Sequence, residues 1–310
     1  MKCVLCGNSE FDIITNKLRH DIIRNVVKCT ECELVSLENP SDEIINYSEV
    51  DYHAAHGPVI GKKSSPQEVF DLESSILQPR INRIKSLLNT DQTVLEIGSS
   101  TGHFLYAIKD LVSKTVGIEL DPDHSKFARE QYDLEIYDIP IEKIKFVENS
   151  FDIIFMFQVF EHINNPIEIL SICKKLLKPD GIIYLEIPNM EDALLSQYNL
   201  TEYRDFYYRA PHAYYYSEKT IKEICHKVGF SGETKTAQEY TLFNHINWLQ
   251  NKKPQTIRTQ GHIELKWKKQ EDETNNILDQ WFKEKNKEYK ILLEKLGIGE
   301  HVCYQGKINS

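Results

Sequence analysis

Two glycines, two carboxylates and four cysteines carry the chemistry legible in this chain. In Val94-Leu95-Glu96-Ile97-Gly98-Ser99-Ser100-Thr101-Gly102, an apolar run ends in a turn where Gly98 and Gly102 carry no side chain. Their absence lets the backbone bend sharply and lets a ligand come close. Glu96, just before the turn, suits a cationic ligand such as a sulfonium or an amino group. A second apolar run, Thr115-Val116-Gly117-Ile118, ends in Glu119. At the carboxyl end of a second strand, an acidic residue can accept hydrogen bonds from both ribose hydroxyls of a nucleotide-type ligand. A dinucleotide fingerprint counted from Gly98 needs glycine at 100 and 103, where the chain has Ser100 and His103, so nicotinamide chemistry is disfavoured.

Cys3-x-x-Cys6 and Cys29-x-x-Cys32 form a second chemical signal. Each pair can place two thiolates on one tetrahedral Zn²⁺, and a four-thiolate site leaves no open position, so the ion reads as structural. A stand-alone module over residues 1–40 has little hydrophobic core. Metal binding is therefore expected to supply much of its folding energy, roughly 10–16 kcal/mol in apparent terms. Cys173, Cys225 and Cys303 lie within apolar stretches and are expected in the core.

The Val94–Gly102 segment resembles the first motif of class I S-adenosylmethionine-dependent methyltransferases. Further segments follow in that family's order: Gly117-Ile118-Glu119-Leu120-Asp121-Pro122, then Ser150-Phe151-Asp152-Ile153-Ile154 with Gln158-Val159-Phe160-Glu161-His162-Ile163. Leu176-Leu177-Lys178-Pro179-Asp180-Gly181 leads into Ile182-Ile183-Tyr184-Leu185-Glu186-Ile187-Pro188-Asn189, and Lys227-Val228-Gly229-Phe230 comes last. Ser100 departs from the pattern, which commonly has a second glycine there. The resemblance implies an α/β, doubly wound, seven-stranded Rossmann-like sheet that binds S-adenosylmethionine. It places Glu96, Gly98, Ser99 and Gly102 about the methionine portion, with Glu119 and Leu120 at the ribose. Asp138 would accept from the adenine amino group with Ile139 packing near the ring, and Gln158 would stand where cofactor and acceptor meet.

These residues need a scaffold. Strands are expected near 93–97, 115–119, 134–137, 152–157 and 182–187, alternating with helices; short connections favour right-handed crossovers and a parallel sheet. Helices over 67–88 are expected to break at Pro79. Glu233 to Tyr240 and His301 to Lys307 read as the sixth and seventh strands, an antiparallel pair at the sheet edge in the family's order. Residues 241–299 then form a helical insertion, with Ile277, Leu278, Trp281, Phe282, Tyr289, Leu292 and Leu293 at helical spacing. Its alternatives are a cap on the sheet edge, a lid over the acceptor pocket and a homodimer interface. The resulting organisation is a zinc ribbon over 1–40, a connector over 41–66 and a methyltransferase domain over 67–310.

Base candidates are histidines at the carboxyl edge of the sheet, where open α/β folds place ligands. His212 comes first, in the loop after the fifth strand, followed by His162 and then His245. An unperturbed imidazole titrates near neutrality, which suits proton removal from a hydroxyl. The CxxC module on this core resembles sugar methyltransferases of deoxysugar and surface-polysaccharide pathways, and the tyrosines of Tyr203 to Tyr216 suit packing on a sugar face. The expected reaction is in-line methyl transfer to a hydroxyl of a sugar, nucleotide sugar or other small metabolite, within carbohydrate biosynthesis. A C-methyltransferase on a keto-sugar nucleotide, a zinc-ribbon RNA methyltransferase and a catalytically silent cofactor-binding protein are the alternatives. A net charge of −10 argues against general nucleic-acid affinity. No apolar run approaches the roughly 20 residues a bilayer span needs, and no signal-peptide core opens the chain, so a cytoplasmic enzyme is expected.

Overall fold

The computed structural model describes residues 1–40, 59, 61–264 and 272–309; most of the expected connector over 41–66 lies outside the described residues. Three short strands come first: β1 (Phe11–Lys17), β2 (Ile23–Cys29) and β3 (Val35–Leu37). Helices α1 (Pro66–Ile76) and α2 (Gln78–Ile84) follow. A capping box between Ser65 and Glu68, with Pro66 in the first turn, starts α1. Pro79 sits in the first turn of α2, where its missing N–H costs nothing, so the expected break falls at Leu77.

The main sheet then builds from β4 (Thr93–Ile97), β5 (Lys114–Ile118), β6 (Glu135–Tyr137), β7 (Phe151–Phe157) and β8 (Leu177–Pro188). Helices α3 (His103–Ile108), α4 (Pro122–Tyr132) and α5 (Pro166–Leu176) link them. After β8 come α6 (Ala193–Ser196), α7 (Thr201–Tyr207), β9 (Tyr214–Tyr215) and α8 (Glu218–Val228). Strand β10 (Phe230–Ala237), helices α9 (Leu242–Asn251) and α10 (Glu273–Lys295), and strand β11 (His301–Ile308) complete the chain.

The seven strands run in the order β10-β11-β8-β7-β4-β5-β6. All neighbours are parallel except β11, which is antiparallel to both β8 and β10. This is the doubly wound Rossmann-like sheet expected from the sequence, with helices inserted before its last strand. The chain leaves β4 toward β5 on one side and returns to β7 on the other. Connections therefore diverge above β4 and open a crevice at its carboxyl end. Val94 and Leu95 of β4 are fully buried, as are Ile153, Ile154 and Phe155 of β7 beside them, the double-faced burial of a central parallel strand. Among the described residues no helix is long and apolar enough to cross a membrane.

Three expectations change. The sixth strand starts at Phe230 rather than Glu233 and ends at Ala237. Gly229, at φ 94°, caps α8 and turns the chain straight into the strand, while Glu239 and Tyr240 leave the sheet because their N–H groups donate to the buried Glu300 carboxylate. The amino-terminal module is not stand-alone. Its strand β3 pairs with β9, Val35 opposite Tyr215 and Ser36 opposite Tyr214, and Leu5, Cys29 and Leu34 join one apolar cluster with Tyr214, Tyr216 and Phe230. Tertiary packing therefore shares the stabilisation expected above to come largely from the metal. Helix α10 also departs from its apolar periodicity: Leu293 is buried, but Ile277, Trp281 and Leu292 are more than half exposed.

Candidate active site

The crevice above β4 is a cleft of about 540 Å³ lined by Glu96, Gly98, Ser100, Glu119, Leu120, Ile141, Gln158 and His162. Gly98 has φ 76°, and a Cβ there would collide with Val159; Gly102 has φ 78°, and a Cβ would come within 2.5 Å of Leu134. Both glycines are therefore required by backbone conformation and by space. Ser100 adopts φ 48°, the left-handed conformation that its glycine counterpart would hold without strain. Its N–H donates to Glu119 Oε2 at 2.6 Å, and the Asp121 N–H donates to Oε1 at 2.7 Å. The turn's other N–H groups at Gly98 and Ser99 donate to the Ile118 carbonyl. The turn thus fixes the Glu119 carboxylate at the cleft wall.

Glu96 is 3% exposed, and its Oε2 has no hydrogen-bond partner among the described residues. Burial raises its carboxyl to about 8, against a smaller opposing pull from Arg80. Burial also raises Glu119 to about 6, although the N–H groups of Asp121 and Ser100 favour its anion. His103 Nδ1 and Gln158 Nε2, also on the cleft wall, are buried without partners among the described residues. Buried polar groups are rarely left unpaired, so this wall fits a ligand with cationic and hydroxyl groups, as S-adenosylmethionine has.

Asp138 lies elsewhere. Its exposed carboxylate pairs with Arg129 at 3.1 Å, and Ile139 is 42% exposed; neither lines the cleft, and Pro140, Ile141 and Glu142 occupy that wall instead. Ser99 and Gly102 are buried beneath the turn. Gln158 does stand at a junction. It leaves β7 at φ 56°, and it lines both the cleft and a second cavity of about 300 Å³.

That second cavity is walled by Tyr203, Phe206, Tyr207, Tyr240 and Trp248. His162 lines both cavities, whereas His212 lines only the second. The two imidazoles meet edge to face with centroids 4.7 Å apart. His162 Nδ1 lies 2.9 Å from the Pro211 carbonyl. A carbonyl only accepts, so Nδ1 carries the proton and Nε2 keeps a lone pair. Burial, reinforced by the Arg209 charge, pushes His162 down to about 4. Glu161 Oε1 lies 3.9 Å from Nε2, and burial raises that carboxyl to about 8. His245 is outside both cavities; its Nδ1 faces the Tyr289 hydroxyl at 2.7 Å and its Nε2 faces Gln238 at 3.3 Å.

Sequence reasoning missed the basic lining. Arg19, from the β1–β2 connection, and Arg209 both face the second cavity, and Arg258 faces both cavities while pairing with Glu73. No local motif marks Arg19, because it reaches the site only through tertiary packing.

The four cysteine sulfurs converge at the other end of the module. All lie within 4.8 Å of one another, with Cys3–Cys32 at 3.4 Å and Cys6–Cys29 at 3.5 Å. Thiolates at about 2.3 Å from a tetrahedral Zn²⁺ stand roughly 3.8 Å apart, so the donor set fits that ion.

A seven-stranded sheet of this order, with a glycine turn and an acidic strand end at its switch point, defines a Rossmann-like methyltransferase fold. A family profile described as a methyltransferase domain matches residues 72–235, more than half of the chain. The chain belongs to that family. It is 27% identical over 178 residues to a tRNA U34 carboxymethyltransferase of Campylobacter lari, covering 52% of this chain and 55% of the relative. It is 25% identical over 128 residues to a ubiquinone biosynthesis O-methyltransferase of Haemophilus ducreyi, covering 37% of this chain and 54% of the relative. The chain thus spans about half the length of these two relatives. Among solved structures, a chain of the complex between the Haloferax volcanii Trm112 methyltransferase activator and a methyltransferase aligns with a TM-score of 0.55 at 14% identity, covering 86% of this chain and 100% of that one. Haemonchus contortus phosphoethanolamine N-methyltransferase 2, in complex with S-adenosylhomocysteine, aligns with a TM-score of 0.52 at 16% identity, covering 86% and 61%. At these identities the structural likeness is one of fold.

Proposed function

We propose that this chain is an S-adenosylmethionine-dependent methyltransferase acting on a hydroxyl of a small, sugar-like acceptor, with a structural Zn²⁺ held by Cys3, Cys6, Cys29 and Cys32. The observation that carries this reading is the pair of cavities joined at Gln158 and His162. One is lined by the Glu96 and Glu119 carboxyl groups, which suit a cation and a ribose, and the other is lined by aromatic rings. The cofactor supplies a methyl group already activated on a positively charged sulfur, so what the protein must add is positioning and proton removal. Glu119 would accept from the ribose hydroxyls, and Glu96 would face the cationic end. His162 Nε2 takes the acceptor's proton, and the Pro211 carbonyl fixes the ring.

Incubation with isotopically labelled cofactor and a panel of sugars and nucleotide sugars tests the reaction. Glu119→Ala is expected to weaken cofactor uptake about 100-fold, because it removes charge-assisted hydrogen bonds of roughly 1.5–3 kcal/mol each. Cofactor binding to wild type and variant with equal affinity by calorimetry, or the absence of product on every acceptor, overturns the assignment.

Glu96 adds a pH dependence. With its carboxyl at about 8, it is mostly protonated in the ligand-free protein at neutral pH. A cation bound beside it favours the carboxylate, so binding releases a proton and affinity rises with pH. Between pH 6 and 7.5 the gain is expected to approach tenfold per unit. Calorimetry in buffers of different ionisation enthalpy reads the released proton, and a pH-independent affinity removes Glu96 from the cofactor site.

A further inference from the structure

We propose that Arg19 and Arg209 form an anion subsite in the acceptor cavity, built jointly by the cysteine-bearing module and the methyltransferase domain, and that it takes a phosphate or pyrophosphate group of the acceptor. This rests on the reading of the second cavity as the acceptor pocket, and it names the chemistry that pocket selects.

The two guanidinium groups reach the cavity from different parts of the chain. Arg19 sits at the tip between β1 and β2. Its backbone N–H donates to the Tyr208 carbonyl at 2.7 Å, its Nε donates to the Phe206 carbonyl at 2.7 Å, and its guanidinium lies over the Phe206 ring at 3.4 Å. These contacts hold the group in place but supply no counter-charge. Arg209 lies in the segment between α7 and β9; its backbone N–H donates to the Tyr215 hydroxyl at 2.8 Å, and its Nε is buried without a hydrogen-bond partner among the described residues. Neither arginine has an ion-pair partner within 4.0 Å among the described residues, whereas Arg258, on the same cavity, is paired with Glu73.

Two unmatched cations sharing one partly buried cavity are costly unless a ligand neutralises them. The cavity's own carboxyl groups do not do so. Burial raises Glu161 to about 8, so it is largely neutral near pH 7, and the Glu300 oxygens are already taken by the N–H groups of Glu239 and Tyr240. Burial keeps His162 neutral as well. The strain of like charge is visible at Arg19, whose guanidinium is pushed down by burial and then by the neighbouring Arg209 charge. A positive pocket in a chain of net charge −10 is selective rather than part of a general basic surface. Arginine forks match the oxygens of a phosphate in a fixed geometry, and the aromatic wall beside them accommodates the rest of the acceptor.

In this arrangement the amino-terminal module contributes both a wall and a charge to the pocket. The test titrates the zinc-loaded 310-residue chain with inorganic pyrophosphate, inorganic phosphate and malonate by calorimetry, without cofactor. Expected is saturable uptake of pyrophosphate or phosphate that weakens at least tenfold in both Arg19→Ala and Arg209→Ala, and severalfold in Arg19→Lys. Lys126→Ala, on an exposed face of α4, keeps wild-type affinity. Thermal melts and bound-zinc content equal to wild type show that the variants fold, and unchanged cofactor affinity separates this subsite from the cofactor site. No uptake of either phosphate probe, tighter uptake of malonate than of both, or equal weakening in Lys126→Ala overturns the proposal.

Discussion

Replacing His162 with alanine is expected to lower kcat about 10²–10⁴-fold, the usual contribution of a positioned general base, while cofactor affinity stays within about threefold. Of the three histidines expected to act, only His162 touches both cavities, and its Nδ1–H is tied to the Pro211 carbonyl at 2.9 Å. That bond leaves Nε2 as the proton acceptor. Because the ring is held at about 4, the unprotonated form predominates throughout the neutral range, and the acid limb of activity belonging to this ring should fall near pH 4 rather than pH 6.5. His212→Ala should cost about tenfold, since His212 supports the edge of the His162 ring from within the acceptor cavity. His245→Ala should leave kcat near wild type and act on stability, because both its ring nitrogens face neighbouring side chains. Single-turnover rates with saturating cofactor decide the matter: an unchanged rate in His162→Ala removes this residue from the chemistry.

Replacing Cys29 with serine is expected to abolish stoichiometric zinc and to lower the melting midpoint by about 10 °C. In isolated zinc-finger peptides the ion supplies all of the folding free energy, roughly 10–16 kcal/mol in apparent terms. Here part of that role passes to packing, because β3 pairs with β9 and the cysteines adjoin the central apolar cluster. A residual loss of about 4 kcal/mol then remains, which corresponds to roughly 8–16 °C for a domain of 150–250 residues. The loss should spread beyond the module, since β9 connects it to the loop that carries His212 and Arg209. Elemental analysis and calorimetric melting test this. Zinc content and melting equal to wild type in Cys29→Ser dismiss the four-thiolate site.

Much of the scaffold was legible because its signals are local. The Gly98 and Gly102 turn, the apolar runs of β4, β5, β7 and β8, the Pro79 break and the Gly229 cap each depend on a few adjacent residues whose backbone preferences agree. The boundary of β10 was misplaced because Glu239 and Tyr240 leave the sheet for Glu300, a partner 61 residues away from Glu239 in sequence. Strand β9 was invisible for a similar reason: two tyrosines form a strand only when β3 arrives beside them.

The sequence by itself determined the methyltransferase family, the glycine turn with Glu96 and Glu119 around it, and the convergence of four cysteines, because each is written in short-range spacing. Only the tertiary structure decided which histidine borders both cavities, turned Asp138 away toward Arg129, and brought Arg19 across from the cysteine-bearing module to Arg209. Those outcomes depend on burial, charge and packing, over 9 positions for Asp138 and Arg129, 49 for His162 and Pro211, and 187 for Arg19 and Phe206. Local preference carries no record of such encounters; they exist once the two sheets have met.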